Sequence, residues 1–179
     1  MWIFQINIVT DCKPTVAHGD LRHDTDGRFP IDRVLFRAEK EIHGEITENN
    51  LKYRDNCWLP ADNNMRAYFV INLGCEKMIN VIQIVNTKNA QHRDRGTKSF
   101  KIFVSGPGSL TADIEVVSEV LPDPILLHDP LPLHTFAFDP VTTRFVKFQM
   151  NGDNHHKSGG VQYFNPTYIG MNSIYTIRF

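Results

Sequence analysis

The segment Phe-Lys-Ile-Phe-Val-Ser, residues Phe100 to Ser105, indicates the fold class of this 179-residue chain. Its apolar side chains alternate with polar or charged ones, which is the pattern of a β-strand with one face in the core and one face in water. The segment Phe145-Val-Lys-Phe-Gln-Met150 has the same alternation. Gly106-Pro-Gly108 follows the first segment directly and predicts a tight turn. Both segments are therefore predicted to be strands of an antiparallel sheet.

Further strand-like segments occur along the chain, with turn-forming residues between them. The predicted strands are 1–9, 34–38, 68–73, 79–86, 115–121, 135–138 and 174–179. Ile79 to Val85 is apolar on both faces and is expected to be a central strand. The predicted breaks include Asn72-Leu-Gly74, Pro122-Asp-Pro124, Asp139-Pro140 and Ser158-Gly-Gly160. Residues 11–33 look like a polar excursion, and 32–46 is the nearest approach to an amphipathic helix.

The composition limits the classes of function. The chain has 19 Lys and Arg against 20 Asp and Glu, for a formal net charge of −1. It therefore lacks the concentrated positive field of a nucleic-acid binder. No apolar run reaches the roughly 18–20 residues of a membrane-spanning helix. The first nine residues alternate like a strand and lack the basic start of a signal peptide. We expect one domain over residues 1–179, made of many short strands in an all-β sandwich or barrel.

The three cysteines, Cys12, Cys57 and Cys75, have no close spacing. An odd count is a poor disulfide framework, although one bridge plus one thiol remains open. No Asn-X-Ser/Thr acceptor occurs, because the proline of Asn165-Pro-Thr blocks it. Both observations favour a reducing compartment or a fragment of a larger protein.

Catalytic motifs are missing from the sequence. There is no nucleophile elbow, no Gly-rich phosphate loop before a helix and no Cys-X-X-Cys motif. Cys57 lies beside Trp58, whose large ring is expected to enter the core after a polar loop. The sequence therefore predicts a protein that is not an enzyme and that requires no cofactor.

Six segments in chain order resemble the discoidin domain, also called the coagulation factor V/VIII C-type domain, of the galactose-binding-like superfamily. The segments are Asn56–Pro60, Tyr68–Gly74, Ile84–Asn89, Arg93–Ser105, Arg144–Phe148 and Gly159–Phe164. The resemblance covers roughly residues 34–165 and implies a jelly-roll β-sandwich. Extracellular members often have a cysteine pair that ties the ends of the domain together, and no cysteine after Cys75 could supply it here.

The charged segment before Phe100 is the first candidate site. Arg93, Asp94 and Arg95 could fix sugar hydroxyls, because arginine donates hydrogen bonds from a rigid fork and aspartate accepts them. In sugar-binding relatives a basic residue of the corresponding loop often contributes to the site. The alternative is structural, with one arginine paired to Asp94 or another loop carboxylate to hold the shape of the loop.

The loop Gly152–Gly160 is the second candidate. His155, His156 and the following Tyr163 could form an apolar platform with polar rims for one face of a sugar. Adjacent histidines on a strand point to opposite sides, which makes joint binding of one metal ion awkward, and solvated histidines are the alternative. Asn63 completes the set of candidate ligand contacts.

The third candidate is the polar loop Glu48–Asn56. Several galactose-binding-like domains hold a structural calcium in a comparable loop, and calcium takes six to eight oxygen ligands. Asp55 and Asn56 are the candidate ligands, whereas Lys52 and Arg54 oppose the site. Asp24-Thr-Asp-Gly27 lacks the later ligands of an EF-hand and is interpreted as a turn.

The sequence as a whole predicts a non-catalytic binding module that recognises a glycan, or another small polar ligand, through loops at one end of the sandwich. The expected partner is a glycan or glycoprotein, with oligomers or tandem domains supplying avidity. The alternative is an intracellular protein–protein interaction module with the same fold and no sugar site. Membrane recognition would need exposed apolar loop tips, for which Met65 is the candidate in the sequence.

Overall fold

The structure is a computed structural model, and it describes residues 12–20, 31, 34, 57–89, 93–128 and 131–169. In these ranges the chain is nearly all antiparallel β-structure. The strands are β1 (Thr15–Gly19), β2 (Tyr68–Asn86), β3 (Ser99–Ser105), β4 (Ala112–Val120), β5 (Leu133–Met150) and β6 (Val161–Thr167). A short 3-10 helix, Pro124–Leu126, lies between β4 and β5. The prediction of an all-β fold is confirmed.

Strands β2 and β5 pair with each other and run through both layers of a sandwich. The first half of β2 pairs with β1, and its second half pairs with β6. The last part of β5 pairs with β3, which pairs in turn with β4. One layer therefore has the strand order β1-β2-β5-β3-β4, and β6 lies beside the second half of β2 in the other layer. Shifts of register, between Asn72 and Lys77 and between Ile79 and Val81, mark where β2 and β5 bend from one layer into the other.

The core between the layers is built around stacked rings. The Phe148 ring stacks on Phe69 and Phe100, with ring centroids 5.2 and 5.6 Å apart. Phe136, from the first half of β5 in the other layer, meets Phe100 edge-on at 5.1 Å. Trp58 is fully buried, and its Nε1 donates a hydrogen bond to the Asp20 carbonyl oxygen at 2.7 Å. The predicted burial of Trp58 is confirmed.

Two predicted breaks lie inside strands, and that part of the prediction was wrong. Asn72-Leu-Gly74 falls within β2, and Asp139-Pro140 falls within β5. The predicted strand pairs 68–73 with 79–86 and 135–138 with 144–150 are therefore one strand each. Gly74 does have the expected positive φ, at 84°. The turn residues serve as irregularities at which a paired strand bends, so they interrupt the register without ending the strand.

Other predictions differ from the structure because strand pairing or a local hydrogen bond determined the conformation of the segment. Strand β1 lies inside the segment 11–33, because pairing with β2 extends a sequence with no clear alternation. Of the predicted strand 34–38, only Val34 is among the described residues; it is helical, and its N–H donates to the Ile31 carbonyl oxygen at 3.1 Å. Ile79 to Val85 is buried on both faces, as predicted for a central strand. The predicted strands 1–9 and 174–179 lie outside the described residues.

A disulfide joins Cys12, ahead of β1, to Cys75, at the bend of β2, with Cα atoms 5.6 Å apart. Lys77 Nζ donates to the Cys12 carbonyl oxygen at 2.9 Å and adds a second link at the same place. Of the two alternatives that the cysteine count left open, the structure has one bridge, and the third cysteine, Cys57, is buried. The bridge removes the support that the cysteine pattern lent to a reducing compartment.

Candidate functional site

Four loop segments meet at the end of the sandwich next to Trp58. They are 57–66, 87–89 together with 93–98, 121–128 and 151–160. Backbone hydrogen bonds join them: Asn63 N–H to the Lys157 oxygen at 3.0 Å, Gly96 N–H to the Ser158 oxygen at 3.1 Å, and Leu121 N–H to the Lys98 oxygen at 2.9 Å. We call this cluster the loop end. It brings together polar residues from four separate parts of the sequence, as the prediction of loops at one end requires.

Arg95 lies beneath the loop end and holds two carboxylates. Its side chain is fully buried, and its Nη2 donates to Asp62 Oδ1. Its Nε lies 3.8 Å from Asp94 Oδ1, which also accepts a hydrogen bond from Asn89 Nδ2 at 2.7 Å. The Asp62 and Asp94 side chains are 46% and 28% exposed. Arg95 thus does not reach the surface itself; it orients two carboxylates that do.

The cluster around Arg95 keeps unused hydrogen-bonding capacity. Arg95 Nε and Nη1, Asn89 Oδ1 and Ser158 Oγ are buried and make no hydrogen bond to the protein groups that the structure describes. Each such atom costs about 1–3 kcal/mol relative to its hydrated state, so clusters of this kind are uncommon where packing is the only function. Asn89 and Arg93, which both precede Asp94 in the chain, also have left-handed backbone, with φ of 61° and 50°. The strain and the unsatisfied groups occur together at the loop end.

Arg93, His155 and His156 of the two candidate loops each contact a residue of the segment 121–127. Arg93 Nη2 donates to the Ile125 carbonyl oxygen at 2.6 Å. His155 Nε2 donates to the Leu121 carbonyl oxygen at 2.9 Å, and His156 Nε2 lies 3.0 Å from Asp123 Oδ1. The sequence left open a ligand role or a structural role for Arg93, and a ligand role or a solvated position for His155 and His156. The structure shows the structural contacts, and the ligand role stays a prediction.

The His155 and His156 rings bind different partners, and their centroids are 6.4 Å apart. Among the residues that the structure describes, no group of three or more His, Cys, Asp or Glu side chains could hold a metal ion. Asp55 and Asn56 lie outside those residues, and calcium binding there stays a prediction. No described helix is long and apolar enough to cross a membrane.

Asp123 is the carboxylate of this segment that His156 contacts. Partial burial alone would raise the pKa of its carboxyl group, but hydrogen bonds from the Ile125 N–H and from His156, together with the charge of His155, outweigh burial. The pKa of Asp123 therefore lies below its ordinary value of 3.8. Asp123 also precedes the proline that begins the 3-10 helix and caps it through the Ile125 N–H at 3.0 Å.

We expect this carboxylate to stabilise the fold at neutral pH and to stop doing so in acid. Because the folded-state pKa is lower than the unfolded one, the stabilisation is complete above about pH 4 and is lost as the pH falls through the folded-state pKa. Its size is about 0.5 kcal/mol, since the carboxylate is partly solvated. Urea unfolding of Asp123→Asn from pH 7 to pH 3 should show a smaller dependence on pH than the unmodified chain. Asp113→Asn, on the exposed edge strand β4, is the matched control; an equal change in that variant would contradict the assignment.

Two other predicted ligand contacts, Asn63 and Tyr163, differ in their exposure to solvent. Asn63 is exposed at the tip of its loop with a φ of 63°, and its side chain faces solvent. Tyr163 is 1% exposed and packs with Val85 and Leu131, so the prediction of a Tyr163 platform was wrong. The reason is that the start of β6 is covered on both faces. Met65 is half-buried, with its sulfur accepting a hydrogen bond from Asn154 Nδ2 at 3.1 Å, and it is not an exposed apolar tip.

Sequence reasoning missed several residues of the loop end. Asp62 and Asn89 join the Arg95 cluster only through tertiary contacts, and no spacing in the sequence could have identified them. Asp123 could have been found, because Asp before Pro is a helix-capping signal. Leu126, 79% exposed on the 3-10 helix, is the apolar loop tip that was sought at Met65.

Comparison with known proteins agrees with this architecture. No protein-family profile matches the sequence, and no curated protein matches it. Among solved structures, a family 32 carbohydrate-binding module from Streptococcus pneumoniae EndoD has a TM-score of 0.59 at 11% identity, covering 87% of this chain and 96% of that one. A Clostridium perfringens module in complex with GalNAc-β-1,3-galactose has a TM-score of 0.57 at 12% identity, covering 87% and 94%.

A third structure is chitosan-binding module 1 from a Paenibacillus chitosanase/glucanase. Its TM-score is 0.56 at 14% identity, and the match covers 86% of this chain and 92% of that one. All three matches extend over nearly the whole of each neighbour. Together with the layers described above, they show that this chain has the jelly-roll β-sandwich fold of the discoidin and galactose-binding-like domains.

Proposed function

We propose that this protein is a non-catalytic module that binds a glycan at the loop end. The observation that carries the proposal is the buried Arg95, which hydrogen-bonds Asp62 and forms a longer, 3.8 Å ion pair with Asp94 at a partly exposed rim, where Asn89 also bonds Asp94. Oriented carboxylates accept hydrogen bonds from sugar hydroxyls without first having to be ordered, and this lowers the entropic cost of binding. Arg95 is then a positioning residue, not a contact.

The donors of the site are on the same surface. The Asn63 amide is exposed next to Asp62, and Arg93 is exposed next to Asp94. Among the described residues, the Arg93 guanidinium donates from Nη2 to the Ile125 carbonyl oxygen, and its other N–H groups could donate to a ligand. Donors beside acceptors suit the paired hydroxyls of a sugar ring.

The structural neighbours support a glycan over other small polar ligands. Ligands of such modules include chitosan, GalNAc-β-1,3-galactose and an unsaturated mannuronic acid. Because the contacts offered at the loop end are a few polar groups, a single site is expected to bind with a Kd of about 1 μM to 1 mM. Useful retention on a glycan surface would then require several linked copies.

The test removes two donors without straining the backbone. Asn63 and Arg93 both have positive φ, a conformation that glycine adopts readily, so Asn63→Gly and Arg93→Gly delete side chains at little steric cost. A glycan array first identifies the ligand. Isothermal titration should then show a loss of affinity of about tenfold for Arg93→Gly and about threefold for Asn63→Gly, as expected for a charged and a neutral hydrogen bond.

Leu110→Ala is the control, because Leu110 is exposed in the turn at the opposite end of the sandwich. It should leave the affinity unchanged. Silence on a broad glycan array, or equal affinity of all three variants, would contradict glycan binding at the loop end. A defined protein partner found in its place would favour the interaction-module alternative.

A further inference from the structure

The outer face of the five-stranded layer has a row of rings and cations that the loop end does not use. Lys147 of β5 lies between two rings, with its Nζ 5.1 Å from the centroid of Tyr68 in β2 and 5.1 Å from that of Phe103 in β3. His18 of β1 meets the Tyr68 ring edge-on at 5.7 Å. These four side chains come from four neighbouring strands, and we call them the cation–ring row.

The Lys147 ammonium group is held without a carboxylate. Within the part of the chain that the structure describes, Lys147 forms no ion pair, and the two rings supply its contacts. A cation over an aromatic face gains about 0.5–1 kcal/mol at an exposed site, which is enough to restrict a flexible lysine. The Tyr68, Phe103 and Lys147 side chains are all partly exposed. The ammonium group is therefore oriented and still accessible to solvent.

Further cations border the row. Arg144 lies over the Phe145 ring, 5.5 Å from its centroid, and donates from Nε to Asn72 Oδ1 at 3.2 Å. Lys101 pairs with Glu115 across β3 and β4 at 2.7 Å. These contacts leave Arg144 without a carboxylate in the described residues, like Lys147.

The acidic groups near the row are already engaged. Glu115 is neutralised by Lys101. Asp20 lies beside Tyr68, where its Oδ2 accepts hydrogen bonds from the Tyr68 N–H at 3.1 Å and from Asn64 Nδ2 at 3.4 Å. Among these described groups the three cations Lys147, Arg144 and Lys101 outnumber the two carboxylates Asp20 and Glu115, which leaves an excess of one positive charge on this face.

We propose that the cation–ring row is a second binding site, for the carboxylate or sulfate groups of an acidic polysaccharide. A repeating anionic chain matches several cations on one sheet face, because Arg144 and Lys147 follow each other along β5 and Lys101 lies on the adjacent strand β3, about 4.8 Å away. The partly exposed rings offer apolar surface to the C–H groups of the sugars. An acidic peptide fits less well, because β2, β5 and β3 are interior strands with both edges hydrogen-bonded and offer no edge for strand addition.

The test uses heparin and polygalacturonate as probes at low ionic strength. The unmodified protein should bind both, and added salt should weaken binding because the contacts are between partly exposed charges. Lys147→Gln should lower the affinity about five- to tenfold, the loss expected for one charge-assisted contact. Lys147→Arg, which keeps the charge, should retain most of the affinity. Thermal unfolding of both variants confirms that the sheet is intact.

Two controls separate this site from bulk charge and from the loop end. Lys98→Gln removes the same charge from a lysine that pairs with Asp153 at 2.7 Å, and should change the affinity less than about twofold. Asn63→Gly, at the loop end, should not affect heparin binding. The proposal is overturned if neither probe binds or if polyglutamate binds as tightly as the polysaccharides. It is also overturned if Lys98→Gln and Lys147→Gln lower the affinity for the probes equally. Because the probes and the variants differ from those used for the loop end, either site can fail alone.

Discussion

Phe148→Ala is expected to lower the free energy of unfolding by about 3–5 kcal/mol, the range for truncating a fully buried ring. The Phe148 ring is 0% exposed and stacks on both Phe69 and Phe100. It also meets Trp58 and Phe164 edge-on, at centroid distances of 6.1 Å each. Four aromatic partners lose contacts at once, and the close-packed core can only partly close the cavity.

Urea unfolding measures this loss as a lower midpoint with an unchanged slope. Phe145→Ala is the matched control, because Phe145 lies on the same strand but on the opposite, partly exposed face. Its loss should be no more than about half as large, since less apolar surface leaves water on folding. Equal losses in the two variants would show that the layers do not pack around Phe148.

Removing the disulfide is expected to have the second-largest effect. Cys12 and Cys75 are 63 residues apart, and closing a loop of that length reduces the entropy of the unfolded chain by about 4 kcal/mol in the chain-entropy treatment. We expect Cys12→Ala/Cys75→Ala to lose about 2–4 kcal/mol, the usual range for a native bridge. Because the bridge fastens the segment ahead of β1, amide exchange in β1 should rise more than exchange in β3.

Two independent experiments test whether the disulfide forms. Under denaturing conditions without reductant, alkylation should modify one of the three cysteines, and all three after reduction. Reductant should lower the unfolding midpoint of the unmodified protein and leave that of the double variant unchanged. A midpoint insensitive to reductant in both proteins would show that the bridge does not form.

The candidate site could be located from the sequence but not described from it. The sequence identified Arg93, Asp94, Arg95 and the two histidines as the chemistry-bearing residues, and all of them lie at the loop end. Their roles depend on partners distant in the chain. Arg93 bonds a carbonyl 32 residues away, and Arg95 bonds a carboxylate 33 residues away. Side-chain pairs of that kind leave no periodic signal.

The cation–ring row could not be predicted from the sequence either. Phe103 and Lys147 lie on the partly exposed face of β3 and β5, because successive side chains of a strand point to opposite faces. Their contact depends on the register between the two strands, where Phe103 is directly opposite Lys147. A shift of one residue would have placed the lysine in the core.

The amino-acid pattern alone determined the strand class, the central strand at Ile79 to Val85 and the burial of Trp58, because alternation and apolar content act locally. Tertiary structure decided the rest. It merged four predicted strands into β2 and β5, since long-range pairing outweighs a local turn signal where a bulge can absorb the turn residues. It also buried Arg95 and left Lys147 exposed, although both are cations, because burial depends on which strands and loops cover a residue and not on its charge.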